Sequence, residues 1–397
     1  MRPAALWFAA IATAAGAAPV RASDPPPPLA ETYLHSGELA KGEQALEAAL
    51  AAAPKDDRLR FGLGVIRFAR GVERFGQSLY EYGLKPESAG GPFLRLPVPA
   101  NPDPAPLRYA TFRRALDDFR RDLAAAEEPL ARVTDDTVKL PLRLAKVRLD
   151  FVGDGKPTDD LGGLLRKLLG RNDPAFLRGN SDFLVCLDRG DVAWLRAYCH
   201  LLMGMLDAYL AFDTEPGFET WAGTVFAKPR PRAAREKNDN EPWKVIKVAE
   251  PARLARFRVH MLKVCALNRE TWKYVREEQD DDHEWLPNPK QTGVLGLPVR
   301  AEMIDAWLDM IGELEAVLEG KKLLPVNLIW RQTGGKMLNV KALLEDPPAA
   351  FDVDAIIAKG PSAKYLENGQ VADLDALFRV LRVFDGPLGV AYAAWFN

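Results

Sequence analysis

The chain has 397 residues, 48% hydrophobic and 27% charged, a balance that excludes both an intrinsically disordered chain and a polytopic membrane protein. Lys and Arg number 53 against 55 Asp and Glu, a formal net charge of −2, which argues against a nucleic-acid binder working through bulk positive charge. The length predicts two or three cores, at about 100–200 residues each.

The first element is a targeting segment. Arg2 precedes an uncharged apolar run over 4–18, and Val20-Arg21-Ala22 puts small residues at the two positions a signal peptidase reads. Residues 1–22 are therefore expected to be a cleaved signal peptide, with Ser23 as the mature start and export to a periplasmic or secreted location. No later stretch has the length and apolarity of a membrane span. Cys186, Cys199 and Cys265 are an odd set, read as buried small hydrophobes, with a Cys186–Cys199 bridge as the rival.

Four prolines at 25–28 form a stiff spacer. Behind them, 29–80 reads as two helical hairpins. Leu29, Ala30, Tyr33, Gly37, Gly42, Leu46, Ala49 and Pro54, then Leu63, Gly64, Gly71, Gly76 and Tyr80, sit at the spacing of tetratricopeptide packing positions. Residues 29–84 resemble that repeat family, which implies paired helices and a surface that binds another protein or a peptide. A Pro- and Gly-rich linker comes next, over 86–106. Tyr109, Phe112, Leu116, Phe119, Leu123, Ala126 and Leu130 then alternate three and four apart, which predicts one long amphipathic helix.

The segment 150–161 resembles the calcium loop of an EF-hand. Asp150 falls at the first ligand position, Asp154 at the fifth, Gly155 at the glycine, the Lys156 carbonyl at the seventh and Thr158 at the ninth. Val152 and Leu161 stand where the third and the bidentate twelfth ligands belong, so the resemblance implies at most weak calcium binding, with dissociation above about 10⁻³ M. Leu142, Ala145 and Leu149 before the loop, and Leu164, Leu165 and Leu168 after it, fit flanking helices. Val138, Leu140, Leu142 and Leu144 also read as the period-two alternation of a strand.

Further helices are expected over 191–213, 251–278, 299–318 and 373–384, with Asp191 as an N-cap. The adhesion tripeptide Arg189-Gly190-Asp191 is read as a chance match. On the first of these helices Arg196, His200 and Asp207 share a narrow stripe, which predicts a buried polar network, because polar groups on so apolar a helix need partners. Adjacent positions diverge by about 100°, so Cys199 and His200 do not face each other. The run 277–285, with Asp280, Asp282, His283 and Glu284, is a solvated loop or a collector of a divalent cation. No phosphate loop, serine-hydrolase elbow or histidine pair at ligand spacing is present.

The expected class is mainly α: a repeat-like module over 23–85 packed on a larger irregular helical domain. That domain divides into 107–250, which carries the EF-hand-like loop, and a C-terminal helical region over 251–397. The expected function is a protein–protein interaction or scaffold module. The alternative is a metal-assisted hydrolase with Asp282, His283 and Glu284 in one cleft with His200.

Overall fold

The computed structural model describes residues 27–85, 94, 96–157, 160–163, 182–228, 244–296, 298–327, 329–384 and 386; the expected signal peptide lies outside them, as do Leu164, Leu165 and Leu168 after the EF-hand-like loop. The chain is mainly α. Its helices are α1 (Leu29–Ser36), α2 (Leu39–Ala52), α3 (Asp57–Glu81), α4 (Tyr109–Leu130), α5 (Arg189–Leu210), α6 (Glu215–Val225), α7 (Pro251–Glu277), α8 (Ala301–Leu318), α9 (Val340–Glu345), α10 (Val353–Lys359) and α11 (Leu374–Val383). Among the described residues six short strands pair two by two, all antiparallel: β1 (Leu140–Arg143) with β2 (Leu184–Leu187), β3 (Val245–Lys247) with β5 (Ala350–Asp352), and β4 (Met337–Leu338) with β6 (Leu366–Glu367). Among the described residues no helix is long and apolar enough to cross a membrane.

α1 and α2 form the first expected hairpin. Gly37, at φ 72, ends α1 in the left-handed conformation that glycine adopts without a Cβ penalty. Gly42 lets α2 approach α1 closely, since a Cβ there would lie 2.6 Å from Tyr33 Cβ. The second expected hairpin is absent. Asp57–Glu81 is one uninterrupted helix, because neither a proline nor a left-handed glycine breaks it. Its glycines give clearance instead of turns: Gly64 faces Leu130 and Gly71 faces Asp122, both on α4, while Gly76 faces Phe151. The helix partnering α3 is thus α4, beyond the linker. Asp56 caps α3 by accepting from Arg58 N (2.9 Å) and Leu59 N (3.1 Å). The buried Asp57 carboxylate ties α3 to the end of α4, accepting from Thr134 N at 2.6 Å and Asp135 N at 2.7 Å.

Ahead of the EF-hand-like loop, Leu140–Arg143 is a strand followed by one 3₁₀ turn at Leu144–Lys146, which corrects the helix–loop–helix expectation. Leu140 pairs with Leu187 and Leu142 with Val185. Leu140 and Leu142 are buried while Pro141 is exposed, so the period-two alternation decided the local structure over the helical spacing.

The expected module 23–85 has no core of its own: Leu34, Leu46, Phe61 and Ile66 are buried in one cluster with Leu130, Leu142 and Val192. The boundary drawn at 250 likewise falls inside continuous packing, for α7 lies against α5. Gly204 on α5 seats Met261 Cε, which a Cβ would approach to 2.5 Å. α7, α8 and α11 bury Trp272, Trp307, Ile311 and Val380 together, with Trp307 Nε1 donating to Asn268 Oδ1 at 2.7 Å. Cys186, Cys199 and Cys265 are buried and free, so the Cys186–Cys199 bridge does not form.

Candidate functional sites

Asp150 is committed to holding its own turn. Its buried carboxylate accepts from Gly153 N (2.7 Å) through one oxygen and from Gly155 N (2.8 Å) through the other. Asp154 accepts from Lys156 N at 2.9 Å and is exposed; Thr158 lies outside the described residues. Among the described residues, Asp150 and Asp154 do not join a third ligating side chain. The loop packs on Glu73 of α3, whose carboxylate accepts from Asp150 N at 2.7 Å.

Burial pushes the Glu73 carboxyl up from 4.5 to about 7, the Asp150 charge adds to the rise, and Arg70 opposes it. The native state therefore keeps a proton between pH 4.5 and about 7 that the unfolded chain has released. Stability falls as pH rises through that window. Glu73→Gln, which keeps an oxygen for Asp150 N, should flatten this dependence and be the more stable protein at pH 8 by about 1–2 kcal/mol. Urea unfolding of both proteins at pH 5 and pH 8 checks it; parallel pH profiles would contradict it.

The expected network on α5 is present, and it draws partners from two neighbouring helices. Arg196 Nε donates to Glu127 Oε1 of α4 at 3.0 Å. His200 Nε2 lies 3.6 Å from the same carboxylate, and its Nδ1 meets His260 Nδ1 of α7 at 2.9 Å. One ring of that pair donates and the other accepts. Burial first, then the His200 charge, drives His260 down to about 4. Asp207 is fully buried, 2.9 Å from Arg253 Nη1 and 3.2 Å from Arg256 Nη2. Each charge has a counter-charge, as a helix–helix lock requires.

Asp282, His283 and Glu284 lie elsewhere. The acidic run leaves the C-terminus of α7 and docks against the start of α5. Asp188, and not Asp191, is the α5 N-cap: Asp188 Oδ1 accepts from Asp191 N (3.1 Å) and Asp191 Oδ2 accepts from Asp188 N (3.0 Å). This reciprocal pair displaces the expected cap by one turn. It also buries Arg189-Gly190-Asp191 in the first turn of the helix. His200 is 12 residues further along α5, about 18 Å at 1.5 Å per residue. A single cleft combining His200 with Glu284 is therefore not formed.

His283 adopts φ 64, a left-handed conformation that costs a non-glycine residue energy. It leaves the imidazole exposed and turns Glu284 inward to 2% exposure. Asp188, Glu278 and Glu284 then converge, one carboxylate oxygen of each lying within 4.8 Å of the others. The loop is pinned by Asn288, whose amide donates to Val275 O (3.1 Å) and Glu278 O (3.2 Å). Trp285 adds ring contacts with Trp194 and Phe183. Burial first, then a hydrogen bond to Asp188, raises the Glu278 carboxyl to about 9; burial also raises Glu284 and Asp191. Asp280 stays outside, bonded to Lys139 Nζ at 2.7 Å.

A second feature lies in the C-terminal region, where β4, β6, α9 and α10 surround a pocket of about 890 Å³. Its walls include Val326, Trp330, Leu338, Phe351, Ile356 and Tyr365. Their polar atoms are satisfied internally: Trp330 Nε1 donates to Ile357 O at 3.2 Å and Tyr365 Oη to Asp346 O at 2.8 Å. The lining is mostly apolar, with Gln332, Thr333, Asp352, Lys359 and Ser362 as its main polar side chains. Ile329 and Ile357 are 73% and 70% exposed beside it. Leu374 lines the pocket, and Leu377 and Phe378, at three and four residues further along α11, are exposed on the same helix face.

Sequence reasoning missed Asp188 and the pocket. The Asp-x-x-Asp spacing at 188 and 191 is a capping-box signal and would have found the first. The pocket has no local signature, because its walls come from several short elements that meet only on folding. The chain matches no known protein family, no curated protein and no solved structure.

Proposed function

We propose that this is an exported partner-binding module that takes bulky apolar side chains of another protein or a peptide into the pocket walled by Trp330, Phe351 and Ile356. The observation that carries the reading is the mostly apolar pocket of about 890 Å³, whose wall includes the exposed side chain of Ile329. Its size suits a bound group. A small molecule would need only the concavity, whereas exposed Ile329 in the wall, and exposed Leu377 and Phe378 one turn along α11 from the lining residue Leu374, suit a macromolecule. The helical layers to its N-terminal side serve as a rigid scaffold. The hydrolase alternative loses its support, because no imidazole stands with the converging carboxylates.

Selection of displayed random peptides on the purified protein tests this reading. Enriched sequences should share aromatic or large aliphatic anchors. Ile329→Glu, a change at an exposed position, should weaken their binding at least tenfold, about 1.4 kcal/mol. No enrichment, or peptides that bind Ile329→Glu equally well, would refute it.

A further inference from the structure

The acidic cluster lacks the compensation that the buried charges between α4, α5 and α7 receive. Asp207 has arginines and Glu127 has Arg196 and His200. Among the described residues, by contrast, no Lys or Arg forms an ion pair with Asp188, Asp191, Glu278 or Glu284. Lys139 is engaged by Asp280 (2.7 Å) and Asp282 (3.8 Å). Arg189 turns the other way, onto Glu270 at 2.8 Å and over the Tyr274 ring. Burying carboxylates without a positive partner is costly.

A second observation points to what is missing. Asp191 is 3% exposed, and its Oδ1 accepts no hydrogen bond. Its other oxygen is held at 3.0 Å by the backbone of Asp188, one of the three converging residues. A buried acceptor with no donor, beside three converging carboxylates, suits a metal-bound water as its partner. Hard cations commonly keep such waters when the protein supplies only some of their ligands.

We propose that Asp188, Glu278 and Glu284 bind one calcium ion, with Asp191 Oδ1 accepting from a water on that ion. All donors are oxygens, which favours a hard cation over zinc or copper. Three carboxylates converging on one point suit calcium better than magnesium, which dehydrates reluctantly and is usually held by only one or two carboxylates. The ion clamps the loop after α7 onto the N-terminus of α5, joining two segments that are distant in sequence. Asp188 performs both tasks at once, capping α5 through Oδ1 on the Asp191 amide and supplying a carboxylate oxygen to the converging set. This site is separate from the EF-hand-like loop, whose aspartate is used up by its own backbone.

Calorimetric titration of the chelator-treated full chain with calcium chloride tests the proposal, alongside magnesium and zinc chlorides. The expected result is one calcium per chain, weaker magnesium binding, and a higher thermal midpoint with calcium present. Glu278→Gln and Asp188→Asn should each weaken calcium at least tenfold; asparagine still caps the helix, so the second variant keeps its fold. Asp280→Asn, outside the cluster, should bind as the unchanged protein does. No calorimetric heat and no thermal shift at millimolar calcium would overturn the proposal. So would calcium binding that survives Glu278→Gln combined with Glu284→Gln, or a preference for zinc.

Discussion

Asp207→Ala is expected to lower the unfolding free energy by about 3 kcal/mol or more. The carboxylate is fully buried where α4, α5 and α7 meet, with Arg253 at 2.9 Å, Arg256 at 3.2 Å and Arg120 at 3.9 Å. Removing it leaves Arg253 buried with part of its charge uncompensated. Asp117 at 3.1 Å and Glu250 at 2.7 Å still hold that guanidinium, which sets the effect at the lower end of the usual range for a broken buried pair. The Arg256 contact adds less, because that side chain is 45% exposed and water replaces the lost partner. Urea unfolding should show the midpoint falling with an unchanged slope. A loss below about 1 kcal/mol would mean that the lock is not holding the three helices together.

Gly64→Leu is expected to cost about 1–3 kcal/mol by overpacking. A Cβ at Gly64 would collide with Leu130 Cγ, and Leu130 is wholly buried in the core shared by α3, α4 and β1. Replacing a mid-helix glycine brings a propensity gain of just under 1 kcal/mol, so any net loss reports the steric conflict. The partner identifies the cause. If Leu130 is the obstacle, Leu130→Ala in the same chain should recover part of the loss, a coupling that a double-mutant cycle measures directly. Additive losses would place the conflict elsewhere and remove the close α3–α4 approach as its cause.

These two sites also show what was legible in the sequence. The three-and-four alternation from Tyr109 to Leu130 predicted α4 to the residue, because a long, strongly periodic apolar stripe has one way to bury itself. The Arg196–His200–Asp207 stripe predicted a buried network, because polar groups on an apolar helix must find partners. Which partners they find was not legible: Glu127, Arg253 and His260 come from helices far apart in the chain. The glycines of α3 sit at packing positions in the repeat spacing, but which helix they admit was not legible: α4 lies beyond the linker, and a second hairpin was expected where one helix runs. At 138–149 two periods competed over a few residues, and pairing with 184–187 favoured the strand. The acidic run was visible, but its inward members were not, since the turn at His283 and the docking against Asp188 decide which carboxylates leave water.

A partner that docks in the C-terminal pocket, and not on the repeat-like helices α1–α3, should leave its footprint there. Hydrogen–deuterium exchange of the protein with and without a selected peptide tests this most directly. Added protection should concentrate over 324–366 and the start of α11, around Trp330 and Phe351, with α1–α3 unchanged. Protection confined to 29–81, with the pocket exchanging as before, would contradict it.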